Sequence, residues 1–103
     1  MNPVIVLTTV GANYDPAELA TYLVEKRLAA CVNIIPRIQS VYRWRGAIES
    51  DSEQLLLIKT VDGHIEELRE ALFSMHPYEV PEFVVLRIDE LSEAYREWLV
   101  SSV

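Results

Sequence analysis

The segment CVNIIPRIQSVYRWRGAIESDSEQLLLIKT, residues 31–60, is the most informative part of this chain for predicting its fold. Its two apolar segments flank Arg45-Gly46, a dipeptide that is typical of a two-residue β-hairpin turn. Pro36 has no N–H to donate to a strand ladder, so it predicts an edge or a bulge in the first strand. The polar segment 49–54 predicts a second bulge or an irregular edge in the returning strand.

Alternate residues of the first strand are apolar or aromatic. They are Val32, Ile34, Ile38, Tyr42 and Trp44, and their common parity predicts that they share one face. About fourteen residues per strand span roughly 46 Å, whereas a compact domain of this length is roughly 34 Å across. We therefore expect the end of the hairpin to project beyond its domain and to present Tyr42 and Trp44, residue types that are enriched at interfaces.

Outward from the hairpin, apolar patterns predict two more strands and three helices. The strands are expected at 4–10 and 82–88, and the helices at 15–28 with the apolar stripe Ala20, Leu23, Val24 and Leu28, from Asp62 to just before Pro77, and after the cap Ser92. The order βαββαβ plus a final helix predicts an α+β, ferredoxin-like sandwich that forms a single domain, 1–103. Because two helices cover only one face of such a sheet, an oligomer is expected.

Composition excludes several classes of function. The net charge is −7, with nine Lys and Arg against sixteen Asp and Glu and no basic run, so nucleic acid is not an expected partner. No apolar stretch approaches the ~20 residues that span a bilayer, and no signal peptide is evident, so no membrane association and a cytoplasmic location are expected. No nucleophile motif, glycine-rich phosphate loop or dinucleotide fingerprint occurs, which predicts neither an enzyme nor an organic cofactor.

Two candidate metal ligands carry sulfur or imidazole. Cys31 is the only cysteine, and its thiolate suits copper; the alternative is a small buried residue at the start of a strand. His76 lies at the end of the second helix, where an imidazole can bind a metal or titrate near neutrality, or can instead bond the last carbonyls. His64, in the first turn of that helix, is expected to be a solvated surface residue.

The other candidates are charged or aromatic. Glu79 and Glu82 flank Val80-Pro81 and have the chemistry for cation binding or acid–base work, or are solvated acids on a turn. Lys59, at a strand end, is expected to pair with one of these acids or to hold an anionic ligand. Tyr78 and Trp44 offer a hydrogen bond and a stacking surface for a ligand, or they pack, Trp44 against another subunit.

Four segments carry a resemblance to a known family. They are AACVNI (29–34), SVYRWRG (40–46), KT (59–60) and HPYEVPE (76–82). Their order and spacing across nearly the whole chain resemble the CutA divalent-cation tolerance family. All seven candidate residues lie within these segments.

The resemblance implies a homotrimer of ferredoxin-like subunits whose sheets face a common centre. It also implies divalent-cation tolerance linked to copper, and a likeness to the trimeric PII signalling proteins, which bind small effectors in clefts between subunits. No catalytic activity is implied. The expected function is therefore binding of a divalent metal ion, copper first, or of a small effector between subunits, with a trimeric interaction module or PII-like signalling protein as the alternative.

Overall fold

The computed structural model describes all residues 1–103. The elements in chain order are β1 (Pro3–Gly11), α1 (Ala17–Glu25), β2 (Cys31–Trp44), β3 (Ala47–Val61), a 3-10 turn (Asp62–His64), α2 (Ile65–Met75), β4 (Val84–Arg87) and α3 (Glu93–Ser101). The strands form one antiparallel sheet in the order β2-β3-β1-β4. This is the predicted ferredoxin-like α+β arrangement with an added C-terminal helix, and the prediction is confirmed.

The hairpin of β2 and β3 turns where the sequence predicts. Arg45 and Gly46 have positive φ angles of 50° and 83°, the combination that a type I′ turn requires. β3 pairs with β1 only as far as Glu53, which lies opposite Gly11. Beyond that point β2 and β3 pair only with each other and form a projecting two-stranded ribbon. The longest dimension of the chain is 44 Å, in accord with a hairpin that outgrows its domain.

A single bulge in β2 changes which face each residue occupies. Ile34 pairs with Leu56, whereas Ile38 pairs with Glu53, so the register shifts between Ile35 and Ile38, around Pro36. One extra residue transfers every later side chain to the opposite face. The predicted bulge at Pro36 is confirmed. Residues 49–53 pair with β2 in an unbroken register and Gln54 pairs only with Val10 of β1, so the extra residue lies in β2 and the irregularity predicted for segment 49–54 is wrong. The prediction that Val32, Ile34, Ile38, Tyr42 and Trp44 share one face is also wrong.

The core lies between one face of the sheet and helices α1 and α2. Leu19 and Leu23 on α1, and Leu68 and Leu72 on α2, are spaced four residues apart and are fully buried. They pack against the alternate strand residues Val6, Val10, Leu56 and Ile58. The alternate strand residues that pack against α1 and α2 therefore determine which face of the sheet lies in the core.

No helix of the chain covers most of the opposite face, here called the open face. Pairing places on it Ile5, Leu7, Ile35, Leu55, Leu57, Val84 and Leu86. All are partly accessible to solvent, and Ile35, Val84 and Leu86 are more than 40% exposed. The open face is thus a contiguous apolar surface across all four strands, of the kind that marks an interaction site.

The first helix is shorter than predicted at both ends. It starts after Pro16, because Asp15 accepts the Ala17 N–H in a turn (3.0 Å) before the helix begins. It ends at Glu25, because Arg27 adopts a left-handed conformation (φ 57°) and the chain closes in a Schellman-type turn. Of the predicted stripe, Leu23 is buried, whereas Val24 is 42% exposed.

The remaining boundaries follow local chemistry. The prediction that α2 starts with Asp62 as its cap is wrong. Asp62 begins the 3-10 turn, and its carboxylate accepts the backbone N–H of Asn2 (3.0 Å). Pro77 follows the end of α2 as expected, and Ser92 caps α3 by accepting the Tyr95 N–H (3.4 Å). β4 covers the middle of the predicted strand.

Candidate functional site

A cluster of carboxylates and phenols lies where β1 ends and the projecting ribbon begins. Its centre is Glu53, which is only 8% exposed. The Tyr78 hydroxyl, from the segment between α2 and β4, donates to Glu53 Oε2 (2.6 Å). Two residues along β3 on the same face, Asp51 accepts a hydrogen bond from the Tyr42 hydroxyl. The ribbon therefore contributes two acids, and each is bound by a phenol.

His76 fixes the start of the segment that carries Tyr78. Its Nε2 lies 2.8 Å from the carbonyl oxygen of Thr9, and its Nδ1 lies 3.0 Å from the backbone nitrogen of Tyr78. A carbonyl only accepts and an amide only donates, so Nε2 carries the proton and Nδ1 is the acceptor. Both ring nitrogens of the neutral imidazole are engaged within the chain. His76 could bind a metal only by giving up one of these bonds.

Burial and negative charge set the proton affinities of this cluster. Burial raises the pKa of Tyr78, and the Glu53 carboxylate raises it further. The same two causes, in the same order, raise the pKa of Glu82. The hydrogen bond to Asp51 is the main reason that the pKa of Tyr42 rises to about 12. The phenols therefore remain protonated donors throughout the physiological range.

His76 makes the stability of the protein depend on pH. Burial lowers its pKa below the ordinary 6.5, against the smaller opposing effects of the Thr9 carbonyl and Glu53. The unfolded chain then binds the proton more tightly than the folded chain, so this contribution is complete above about pH 6.5 and is lost as the pH falls through the folded pKa. We expect the free energy of unfolding to fall by more between pH 7.5 and 5.5 in the native protein than in His76→Gln.

Urea unfolding at fixed protein concentration measures this difference. His64→Gln is the matched control, because it makes the same substitution at the only other histidine, whose ring takes no part in the hydrogen bonds of this site. Glu82 has a raised pKa, so its contribution to the free energy of unfolding decreases as the pH rises, opposite to that of His76. Comparing variants that all retain Glu82 removes this effect from the difference. Equal pH dependence in the native protein and His76→Gln would refute the assignment.

Cys31 and Lys59 lie at the other end of the sheet. They are paired across β2 and β3, so their side chains share the open face. The salt bridge expected between Lys59 and Glu79 or Glu82 does not form within the chain. Lys59 Nζ instead lies 3.3 Å from the Tyr95 hydroxyl and 5.5 Å from the centre of that ring. α3 thus holds the lysine beside the half-buried thiol.

Trp44 and Glu79 meet at the tip of the ribbon through Arg45. The guanidinium of Arg45 lies 5.3 Å from the Trp44 ring and forms an ion pair with Glu79 at 3.1 Å. Both charged side chains are more than 70% exposed, so this pair contributes little to stability. It nevertheless brings the tip to the segment after α2.

The candidate residues therefore fall into three groups. The first group lies around Glu53: Tyr78 is bonded to it, and its charge acts on His76 and Glu82. The second group, Glu79 and Trp44, lies at the tip of the ribbon. The third group is Cys31 and Lys59; Lys59 is six positions along β3 from Glu53, so the two are roughly 20 Å apart. Within the chain no group of three or more His, Cys, Asp or Glu side chains is placed to hold a metal ion.

Sequence reasoning missed Glu53, Asp51 and the role of Tyr42. The signal that could have found them is the alternation Glu49, Asp51, Glu53, which places three acids on one face of a regular strand. The assumption of an irregular segment at 49–54 concealed it.

Comparison with known proteins agrees with the fold. Residues 4–102 match the family model described as CutA1 divalent ion tolerance protein. The Divalent-cation tolerance protein CutA of Thermus thermophilus is 46% identical over 95 residues, which are 92% of each chain. The crystal structure of CutA1 from Oryza sativa has a TM-score of 0.94 at 39% identity and covers 100% of this chain and 94% of its own.

Some relatives are longer. Protein CutA, chloroplastic, of Arabidopsis thaliana is 46% identical over 99 residues, which are 96% of this chain but 54% of that protein. The chain thus spans about half the length of this relative. No helix is long and apolar enough to cross a membrane. The fold, the family model and these relatives agree across nearly all of the sequence, and the chain belongs to the CutA1 divalent-ion tolerance family.

Proposed function

We propose that this chain works as a homotrimer that binds a divalent cation, copper by preference, or a small effector at the boundaries between subunits. In this proposal it is a cytoplasmic binding protein without catalytic activity or an organic cofactor. The observation that carries the proposal is the open face: an apolar surface across four strands that the chain cannot cover by itself. Sister chains of the same sequence supply the cover.

Assembly would also bring the candidate ligands together. In one chain Cys31 and the Glu53 cluster occupy opposite ends of the open face, too far apart to share an ion. When subunits pack through this face, one end of the sheet in one subunit can lie beside the other end of the sheet in its neighbour. A site at the boundary can then combine side chains that a single chain keeps apart.

The available side chains fit the proposed ligands. The Cys31 thiolate is the soft donor that copper prefers, and the carboxylates of Glu79 and Glu82 add harder oxygen ligands. Tyr78, Lys59 and Trp44 offer a hydrogen bond, a positive charge and an aromatic surface to a small effector. His76, whose nitrogens are both engaged, serves here to position the segment that carries these acids.

Native mass spectrometry of protein purified without added metal tests the assembly and any co-purified ligand together. We expect a mass three times the 11.8 kDa of one chain. Titration with copper should then show stoichiometric binding. Cys31→Ser should weaken it by at least about tenfold, because loss of a direct ligand should cost no less than loss of a group that only orients one.

His64→Ala is the control for loose copper binding at the other histidine, which is partly exposed, and it should bind copper as the native protein does. Unchanged copper affinity in Cys31→Ser would mean that the Cys31 thiol is not a copper ligand. A mass of one chain for folded, metal-competent protein would contradict the proposed assembly.

A further inference from the structure

Few contacts within the projecting ribbon itself keep it rigid. Past Glu53 and Gly11 its two strands pair only with each other, and isolated two-stranded hairpins are marginally stable in water. Val41 and Ile48 on one of its faces are more than 60% exposed. Contacts from outside the ribbon must hold it in a fixed direction, whether they come from the rest of its own chain or from the sister chains proposed above.

Residues 76–82, here called the brace segment, contact the hairpin and its neighbouring strand at three successive levels. His76 is bonded to the Thr9 carbonyl in the body of the sheet (2.8 Å). Tyr78 is bonded to Glu53 at the base of the ribbon (2.6 Å), and Glu79 pairs with Arg45 at its tip (3.1 Å). The three contacts run from the sheet to the end of the ribbon.

The three contacts differ in strength. The bond between Tyr78 and Glu53 is partly buried and has a charged acceptor, which makes it stronger than an ordinary neutral hydrogen bond. The pair at the tip is exposed and therefore weak. The base of the ribbon is thus held firmly, while the tip is held by a contact that salt or a competing charge can break.

We propose that the brace segment sets the position of the projecting ribbon, and that Glu53 is the positioning residue at which the two meet. A ligand or substitution that breaks the contact of Tyr78 with Glu53, or of Glu79 with Arg45, then moves the ribbon tip and Trp44. This inference concerns contacts within one chain, so it holds whether or not copper is the ligand.

Hydrogen exchange of the assembled protein tests the proposal. Tyr78→Phe removes only the hydroxyl that reaches Glu53, and we expect amide exchange to rise about tenfold in the brace segment and in ribbon residues 39–51. Tyr42→Phe is the matched control, because it removes the same kind of phenol–carboxylate bond from within the ribbon itself. It should leave exchange in the brace segment unchanged.

The indole of Trp44 reports the ribbon tip directly. In a Trp98→Phe background it is the only tryptophan, and both Tyr78→Phe and the exposed variant Glu79→Gln should increase its quenching by acrylamide. Glu79→Gln alters a surface residue, so it keeps the test valid if Tyr78→Phe folds poorly. Ribbon exchange that is the same in Tyr78→Phe and the native protein would overturn the proposal; should Tyr78→Phe not fold, unaltered Trp44 quenching in Glu79→Gln would overturn it instead.

Discussion

Replacement of Leu57 by glutamate is expected to turn the proposed trimer into a folded monomer. Leu57 lies in the middle of the open face, where it pairs with Leu7 on β1 and Asn33 on β2. A carboxylate buried there between subunits would have no counter-charge, and removing it from water costs several kcal/mol. In the monomer the same side chain would be solvated, so the fold should persist.

Light scattering and circular dichroism measure the two parts of this result. The mass of Leu57→Glu should fall to 11.8 kDa while the spectrum stays native-like. Val24→Glu makes a matched change of a half-exposed apolar residue on the outer surface of α1, and it should leave the mass unchanged. Retention of the full assembly by Leu57→Glu would mean that the subunits associate through another surface.

The neighbouring substitution Leu56→Ala should act on the fold instead. Leu56 is fully buried among the residues of α1 and α2, one position away from Leu57 but on the opposite face of β3. Loss of a buried leucine side chain leaves a cavity, and we expect the free energy of unfolding to fall by about 3 kcal/mol. Urea unfolding measures this loss.

Protein concentration separates the two faces. The unfolding midpoint of Leu56→Ala should be lowered at every concentration, whereas that of Leu57→Ala should approach the native value in dilute, dissociated samples. The assignment of Leu56 to the core fails if the two alanine variants behave alike across the concentration range.

The candidate site could be predicted only in part. The residue types of His76, Tyr78 and Glu82 indicate that their segment is a candidate site, but they do not identify its partner Glu53. Tyr78 and Glu53 are 25 positions apart, and His76 and Thr9 are 67 apart. Contacts at such separations depend on the order of the strands and the path of the segment between α2 and β4, which local patterns do not encode.

The long hairpin, its turn at Arg45-Gly46 and the presence of the flanking helices can all be predicted from local sequence patterns. These features follow from backbone preferences and apolar periods within a few residues. The face that Tyr42 and Trp44 occupy depends on strand pairing in the folded chain, because one extra residue near Pro36 reverses the direction of every later side chain in the strand. The tertiary structure also places Cys31 and His76 apart, since sheet pairing, and not residue type, sets the distance between them.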